Sequence, residues 1–374
     1  MLDRSKVIRE LQQLADKLFP DYSYEYDIAR SSWQRIVADS TFEYKVRAIK
    51  NPPWPVPCWT GIVDKAIPVA KNLDHYTVVS VDGSQIYPDR HNNASCFLIN
   101  IGSVILPYGT SVTSAKFNSV PHVFTRYGED RAEIGISADL VDCCRQEFEL
   151  QTGLTLTKTI KKDHAIILLF DGSLIFWHLA SKEIAIREKF LASYNALLYQ
   201  LYEEQIPMAS YISLPKSKEL LNLIRLELCA FDTDCSDLYA MVDKLIDTTI
   251  VRFFLKPFER SIVFQNRSNI SQEYPDCVVP HFFYLHVGTE IGRVEIPAWI
   301  AQDENLVSFI ACAVLDQSMK GHGYPVALAE AHEQAVVKGP DRDFFYHVLH
   351  KIGMEKKSRP IISQKSLRKR KMSV

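Results

Sequence analysis

Two stretches decide the fold: YTVVSVDGSQ (76–85) and AIILLFDGSL (165–174). Each is a short run of β-branched and apolar residues stopped by the same Asp-Gly-Ser. An Asp-Gly pair is ordinarily a turn. Here each aspartate closes a run that reads as buried on both faces, where a carboxylate is costly unless it is paired or binds a cation. Ligand sites in open α/β sheets gather at the carboxyl ends of strands. Asp82 and Asp171 are therefore the first candidate site residues, and they can meet only if their strands are neighbours.

Outward from these strands, Ile134, Leu140, Val141, Cys144 and Phe148 recur at helical spacing over 131–151. Glu133 falls in the first turn of that expected helix, on the stripe continued by Ser137, Leu140, Cys144 and Phe148. The helix dipole alone also favours a glutamate there, and Glu129 and Asp130 are nearby rivals. Near the other end, YPVALAEAHEQAVV (324–337) reads as a helix with proline in its first turn. Its apolar face, Leu328, Ala331, Ala335 and Val336, includes His332, which is a ligand candidate or a hydrogen-bonded core residue.

The remaining pattern mixes strands (95–109, 208–214, 261–265, 281–287, 292–297) with helices (3–19, 182–206, 216–230, 236–254, 305–319, 325–338, 343–352), an α/β architecture. NPPWPVPCW (51–59) lacks too many backbone donors for helix or central strand. We expect an N-terminal helical arm with its linker over 1–60, a catalytic body over 61–352, and a basic tail over 353–374.

The 374 residues are 47% hydrophobic and 24% charged, with a formal net charge of -2. That charge gives no global field for nucleic acid, so any attraction must come from local basic patches. No apolar run approaches the roughly 20 residues that span a bilayer, and no signal-peptide core precedes the body; a cytosolic (cytoplasmic) protein with no membrane contact is expected. The eight cysteines form no CxxC pair and read as small buried hydrophobes rather than a zinc site. Neither a GxxxxGK[ST] nor a GxSxG motif occurs, which leaves nucleotide hydrolysis and α/β-hydrolase chemistry without support.

Acid at the end of a first strand, acid on a helix, acid at the end of a later strand and a ligand on a late helix is the layout of RNase H-like nucleases. Oxygen ligands suit Mg²⁺ and Mn²⁺, and Mn²⁺ also accepts imidazole. Two such ions about 4 Å apart can activate water and stabilise the leaving oxygen of a phosphodiester. The two Asp-Gly-Ser elements, the Arg131/Glu133 segment, YISLPKSKELLNLIR (211–225) and GYPVALAEAHE (323–333) together resemble the NurA family, over roughly residues 75–340. That resemblance implies an RNase H-like mixed sheet flanked by helices, with the N-terminal helical arm and helical insertions added to it. It implies Asp82, Glu133, Asp171 and His332 as metal ligands, with Tyr211 lining the same site. It further implies a nuclease dependent on Mn²⁺ (or Mg²⁺), with two ions. Expected activities are 5′-to-3′ exonuclease on DNA and single-strand endonuclease. A homodimer working with a HerA-like hexameric ATPase in DNA-end resection completes the expectation.

Lys216 and Lys218, Arg126 and Arg131, and the Arg252–Lys256 segment with Phe253 and Phe254 are candidate DNA contacts, because basic residues beside aromatics suit phosphates and bases. Two other readings compete: a catalytically silent DNA-end or ATPase-binding adaptor on the same fold, and an RNase H-like enzyme acting on RNA or junctions.

Overall fold

In the computed structural model, the first Asp-Gly stretch forms strand β2 (Tyr76–Ile86) and the second forms β5 (Ala165–Asp171). They lie side by side, parallel, in register from Tyr76↔Ala165 to Val81↔Phe170. The structure describes residues 2–49, 52, 54–88, 96–109, 114–125, 137–160, 164–232 and 241–356. Glu133, its rivals Glu129 and Asp130, Arg126 and Arg131 lie outside these, as does the tail beyond 356.

Around this pair the sheet grows on both sides. β3 (Phe97–Tyr108) pairs antiparallel with β2, and β4 (Lys116–Phe124) antiparallel with β3. β6 (Met208–Ile212) pairs parallel with β5. In chain order these five run 3-2-1-4-5 across the sheet, the RNase H-like arrangement. Beyond β6 the sheet continues through β10 (Ile291–Pro297), β9 (Pro280–His286), β7 (Glu259–Arg260) and β1 (Ile67–Pro68), with β8 (Phe264–Gln265) also on β9.

The first strand outruns its expected end. Asp82 does not close β2, which continues to Ile86 against β3; only the parallel pairing with β5 stops at Val81. The polar, exposed β4 was not legible, since its alternation carries little apolar signal and Pro121 interrupts it.

The chain opens with helices α1 (Arg4–Gln13), α2 (Ala15–Leu18), α3 (Ser23–Ala38) and α4 (Phe42–Ala48). Between β4 and β5 comes α5 (Ala138–Lys158), and between β5 and β6 comes α6 (Ile184–Glu203). Helix α5 starts later than its periodicity suggested, because Ser137 caps it: the serine side chain accepts from the Leu140 N–H at 3.1 Å. Then follow α7 (Glu219–Leu228), α8 (Asp247–Val251), α9 (Ala298–Ala301), α10 (Glu304–Lys320), α11 (Val326–Ala335) and α12 (Gly339–Glu355).

Two apolar cores result. The larger joins β2, β3, β5 and β6 to α5, α6, α10 and α11, through residues such as Val79, Leu168, Phe190, Val314 and Leu328. The second joins Trp33, Ile36 and Phe42 of α3 and α4 to Leu223 of α7 and Phe282 and Tyr284 of β9. Each fully buried side chain of this size contributes about 1.5–3 kcal/mol. Phe254 stacks on Trp33, and Phe253 meets Tyr26 edge-on; these aromatics pack on the arm rather than offering themselves to a nucleic acid. Cys58, Cys96, Cys143, Cys144 and Cys312 are free and buried, as expected, and Cys229 is buried as well. Among the described residues, no helix is long and apolar enough to cross a membrane.

Candidate metal and nuclease centre

Asp82 and Asp171 each stand one residue past the last paired position of neighbouring parallel strands, Val81 and Phe170. They line one cleft of about 460 Å³. A larger cavity of about 840 Å³, near Trp59, Arg260 and Glu304, lies away from both aspartates, so volume does not mark the chemistry here.

Each Asp-Gly-Ser works as a unit. In the first, the Asp82 carboxylate accepts from the Gly83 N–H at 2.8 Å. A Cβ on Gly83 would lie 2.6 Å from Glu149 Oε1 and 2.7 Å from Arg145 Cγ, so the bare glycine makes room for α5. The Ser84 hydroxyl donates to the Ala335 carbonyl at 2.5 Å, and the Asn100 amide donates to the same oxygen at 2.7 Å; both tie down the end of α11. In the second unit, Gly172 turns the chain with φ of 89°, a conformation that favours glycine. Ser173 Oγ and the Leu174 N–H then both donate to Glu295 Oε2 at 2.8 Å. Glu295 is itself held by the buried Arg293, which also pairs with Glu219 at 2.8 Å. A satisfied buried ion network thus fixes the turn behind Asp171.

Opposite Asp82 in the β2–β3 ladder is Gly102. A Cβ there would lie 2.2 Å from the Ala335 nitrogen and 2.5 Å from the Ala331 oxygen. Successive residues of a strand face opposite sides, so α11 covers the Asp82 face and α5 the Gly83 face. His332 reaches down from α11, and its Nδ1–H donates to Asp82 Oδ2 at 2.8 Å. The imidazole is 63% exposed; it sits on the rim of the cleft, not within the buried face that periodicity suggested. The buried face of α11 is Ala327, Leu328, Ala331 and Ala335.

Asp171 is open at its edge yet crowded on its cleft side. Desolvation raises its carboxyl above the usual range and the neighbouring Asp82 charge raises it further, against a hydrogen bond from the Tyr324 hydroxyl. Glu149 on α5 is pushed up to about 8 by desolvation, with the charges of Asp82 and Asp171 adding to this and Arg145 opposing it. Glu149 and Arg145 are ion-paired within α5.

Of the expected residues, the fold brings Asp82, Asp171 and His332 together. Tyr211 is in register with Asp171 on β6, but it is buried and its hydroxyl donates to Glu290 at 2.7 Å. The tyrosine that touches Asp171 is Tyr324, which stands in GYPVALAEAHE without having been singled out. Glu149 was also missed: it is the helix glutamate that the described residues place beside the aspartates. Lys216 is exposed, while Lys218 is tied to Asp243 at 3.2 Å.

The donor chemistry fits a hard divalent cation, since like-charged carboxylates crowded in a desolvated cleft are what such an ion relieves. Among the described residues, however, no group of three or more His, Cys, Asp or Glu side chains could by itself hold a metal ion.

Fold order and cleft together define an RNase H-like protein with a carboxylate centre. The NurA domain model matches residues 76–337, more than half of the chain, which belongs to the NurA family of nucleases. The chain is similar to the crystal structure of a NurA protein, with TM-score 0.39 and 11% identity over 93% of this chain and 98% of that one. It is also similar to Aquifex aeolicus Argonaute (TM-score 0.26, 11% identity, 71% of this chain and 28% of that one). A further similarity is to prototype foamy virus protease–reverse transcriptase (TM-score 0.22, 16% identity, 48% and 22%). No curated protein matches it in sequence.

Proposed function

We propose that this nuclease cleaves DNA phosphodiesters with Mn²⁺ or Mg²⁺ held by Asp82, Asp171 and His332, with Glu133 as the further acid that the family resemblance implies. The observation that carries this reading is the meeting of Asp82 and Asp171 at one level of adjacent parallel strands, with His332 bonded to Asp82. The Nδ1–Asp82 bond holds the ring beside the carboxylates; a cation shared by the two groups would take the place of that hydrogen bond, with imidazole and carboxylate both turned to it. Such ions, when bound, lower the pKa of water and stabilise the leaving oxygen. The protein's own part is to hold the acids on a rigid sheet, to anchor their turns through Ser84 and Ser173, and to bring Tyr324 against Asp171.

Lys216 and Lys218, with Arg126 and Arg131, are proposed phosphate contacts. Tyr211 is proposed to support the site from within the sheet. The reading extends to 5′-to-3′ exonuclease and single-strand endonuclease activities of a cytoplasmic homodimer, acting with a HerA-type ATPase in double-strand break end resection. Residues 61–352 are the proposed nuclease unit, with 1–60 as the arm and 353–374 as a basic tail. The test is digestion of end-labelled DNA with Mn²⁺: Asp82→Asn and Asp171→Asn should each lower the rate at least a thousandfold. Undiminished cleavage by both variants would remove the site.

One observation favours a second reading. Arg145 already neutralises Glu149 inside the cleft, as a silent DNA-end or ATPase-binding adaptor would have it. DNA binding by the wild-type protein with no metal-stimulated cleavage would favour that adaptor.

A further inference from the structure

The 3-10 turn Trp177–Ser181, which follows Asp171, separates two hollows that meet at Ser173. His178 lines the carboxylate cleft. Trp177 lines the second hollow, of about 340 Å³, together with Lys216 and Lys218. Trp177 leaves 42% of its surface exposed, although an indole is a large apolar group that ordinarily buries most of its area. On the cleft side, the His178 Nε2 is buried with no hydrogen-bond partner among the described residues.

A flat aromatic face beside ammonium groups, one turn from the carboxylates, matches the chemistry of an unpaired nucleic-acid strand. The ring takes a base face and the lysines take phosphates. A duplex holds its bases inside the stack and must unpair before one can lie on an indole. We propose that Trp177 is a stacking platform for a base of single-stranded DNA whose backbone runs from the carboxylate cleft past Ser173 to Lys216 and Lys218. Trp177 then sets a preference for unpaired strands. The inference rests on the nuclease reading, and it is tested by binding, apart from cleavage.

The experiment uses the full chain in EDTA, with a labelled oligothymidylate and a blunt hairpin duplex of equal charge. Trp177→Ala should weaken oligothymidylate binding about tenfold and duplex binding less than twofold, while Trp177→Phe keeps most of the affinity. Oligothymidylate should quench wild-type tryptophan fluorescence more than that of Trp177→Phe, a reading that does not depend on the alanine variant folding. Equal quenching in the two proteins, or equal losses for both DNAs in Trp177→Ala, overturns the proposal. Wild-type cleavage of the same oligonucleotide with Mn²⁺ is measured separately, so failure of the nuclease reading shows as no cleavage whatever Trp177 does.

Discussion

Gly102 faces Asp82 across the β2–β3 ladder, and its missing side chain is what lets the His332 helix settle beside that carboxylate. A methyl group there would overlap backbone atoms of Ala331 and Ala335, which cannot swing aside as a side-chain tip can. Gly102→Ala should therefore lift α11, destabilise the protein by about 2–3 kcal/mol, and break the His332–Asp82 bond. Urea unfolding checks the first effect. The ring proton shifts of His332 check the second, and a wild-type spectrum for Gly102→Ala would refute the packing argument.

Tyr324 gives a milder perturbation of the same centre. Its hydroxyl donates to Asp171 and holds that carboxyl lower than desolvation and Asp82 would leave it. Tyr324→Phe keeps the ring and removes the bond, so Asp171 gives up its proton less readily. The Mn²⁺ concentration for half-maximal cleavage should rise about tenfold, with the rate at saturating metal changed far less. A fall in the saturated rate with unchanged metal dependence would place Tyr324 in another role.

How much of this was legible depended on whether the signal was local. Asp82 and Asp171 stood out because an acid after a buried run is costly anywhere. That their strands would be parallel neighbours was left open, since two further strands and a helix come between them in the chain. Glu149 was invisible for the opposite reason: it sits among charged neighbours on a long helix, and only the room left by Gly83 brings it to the cleft. Tyr211 and Tyr324 could not be told apart by type. Which hydroxyl reaches Asp171 depends on where the segment before α11 lands, and the sheet decides that. The start of α5 was misplaced because apolar spacing ran on past its serine cap.

Asp247 supplies a pH dependence remote from the centre. Burial, then the Glu219 charge, raises its carboxyl from 3.8 to about 7. A raised acid takes up a proton on folding, so its stabilising contribution is complete below pH 3.8 and is lost as pH rises toward 7. In that window stability should fall by on the order of 1 kcal/mol per pH unit. Asp247→Asn removes the titration, and its amide can still accept from the Leu221 N–H while the Tyr284 hydroxyl turns to Ser217. Urea midpoints at pH 5 and pH 8 should converge in the variant and diverge in the wild type. Parallel slopes would assign the dependence to other groups.

Glu295 tests whether the buried network holds the turn behind Asp171 or merely fills the core. One of its oxygens accepts from Ser173 and Leu174 behind Asp171, and the other accepts from Arg293 at 2.8 Å. Glu295→Gln can keep an oxygen on the turn only by aiming its amide at the arginine, donor against donor. Arg293 retains Glu219 but loses half its compensation while fully buried, which should cost about 3 kcal/mol. Ser173→Ala removes one donor to that carboxylate and the acceptor of the Ile175 N–H, and should cost about 2 kcal/mol. If the network positions Asp171, both variants lose cleavage at saturating Mn²⁺, and Glu295→Gln loses more even at a temperature where it is fully folded. Full activity in folded Glu295→Gln would mean that the turn keeps its shape through Gly172 and the sheet alone.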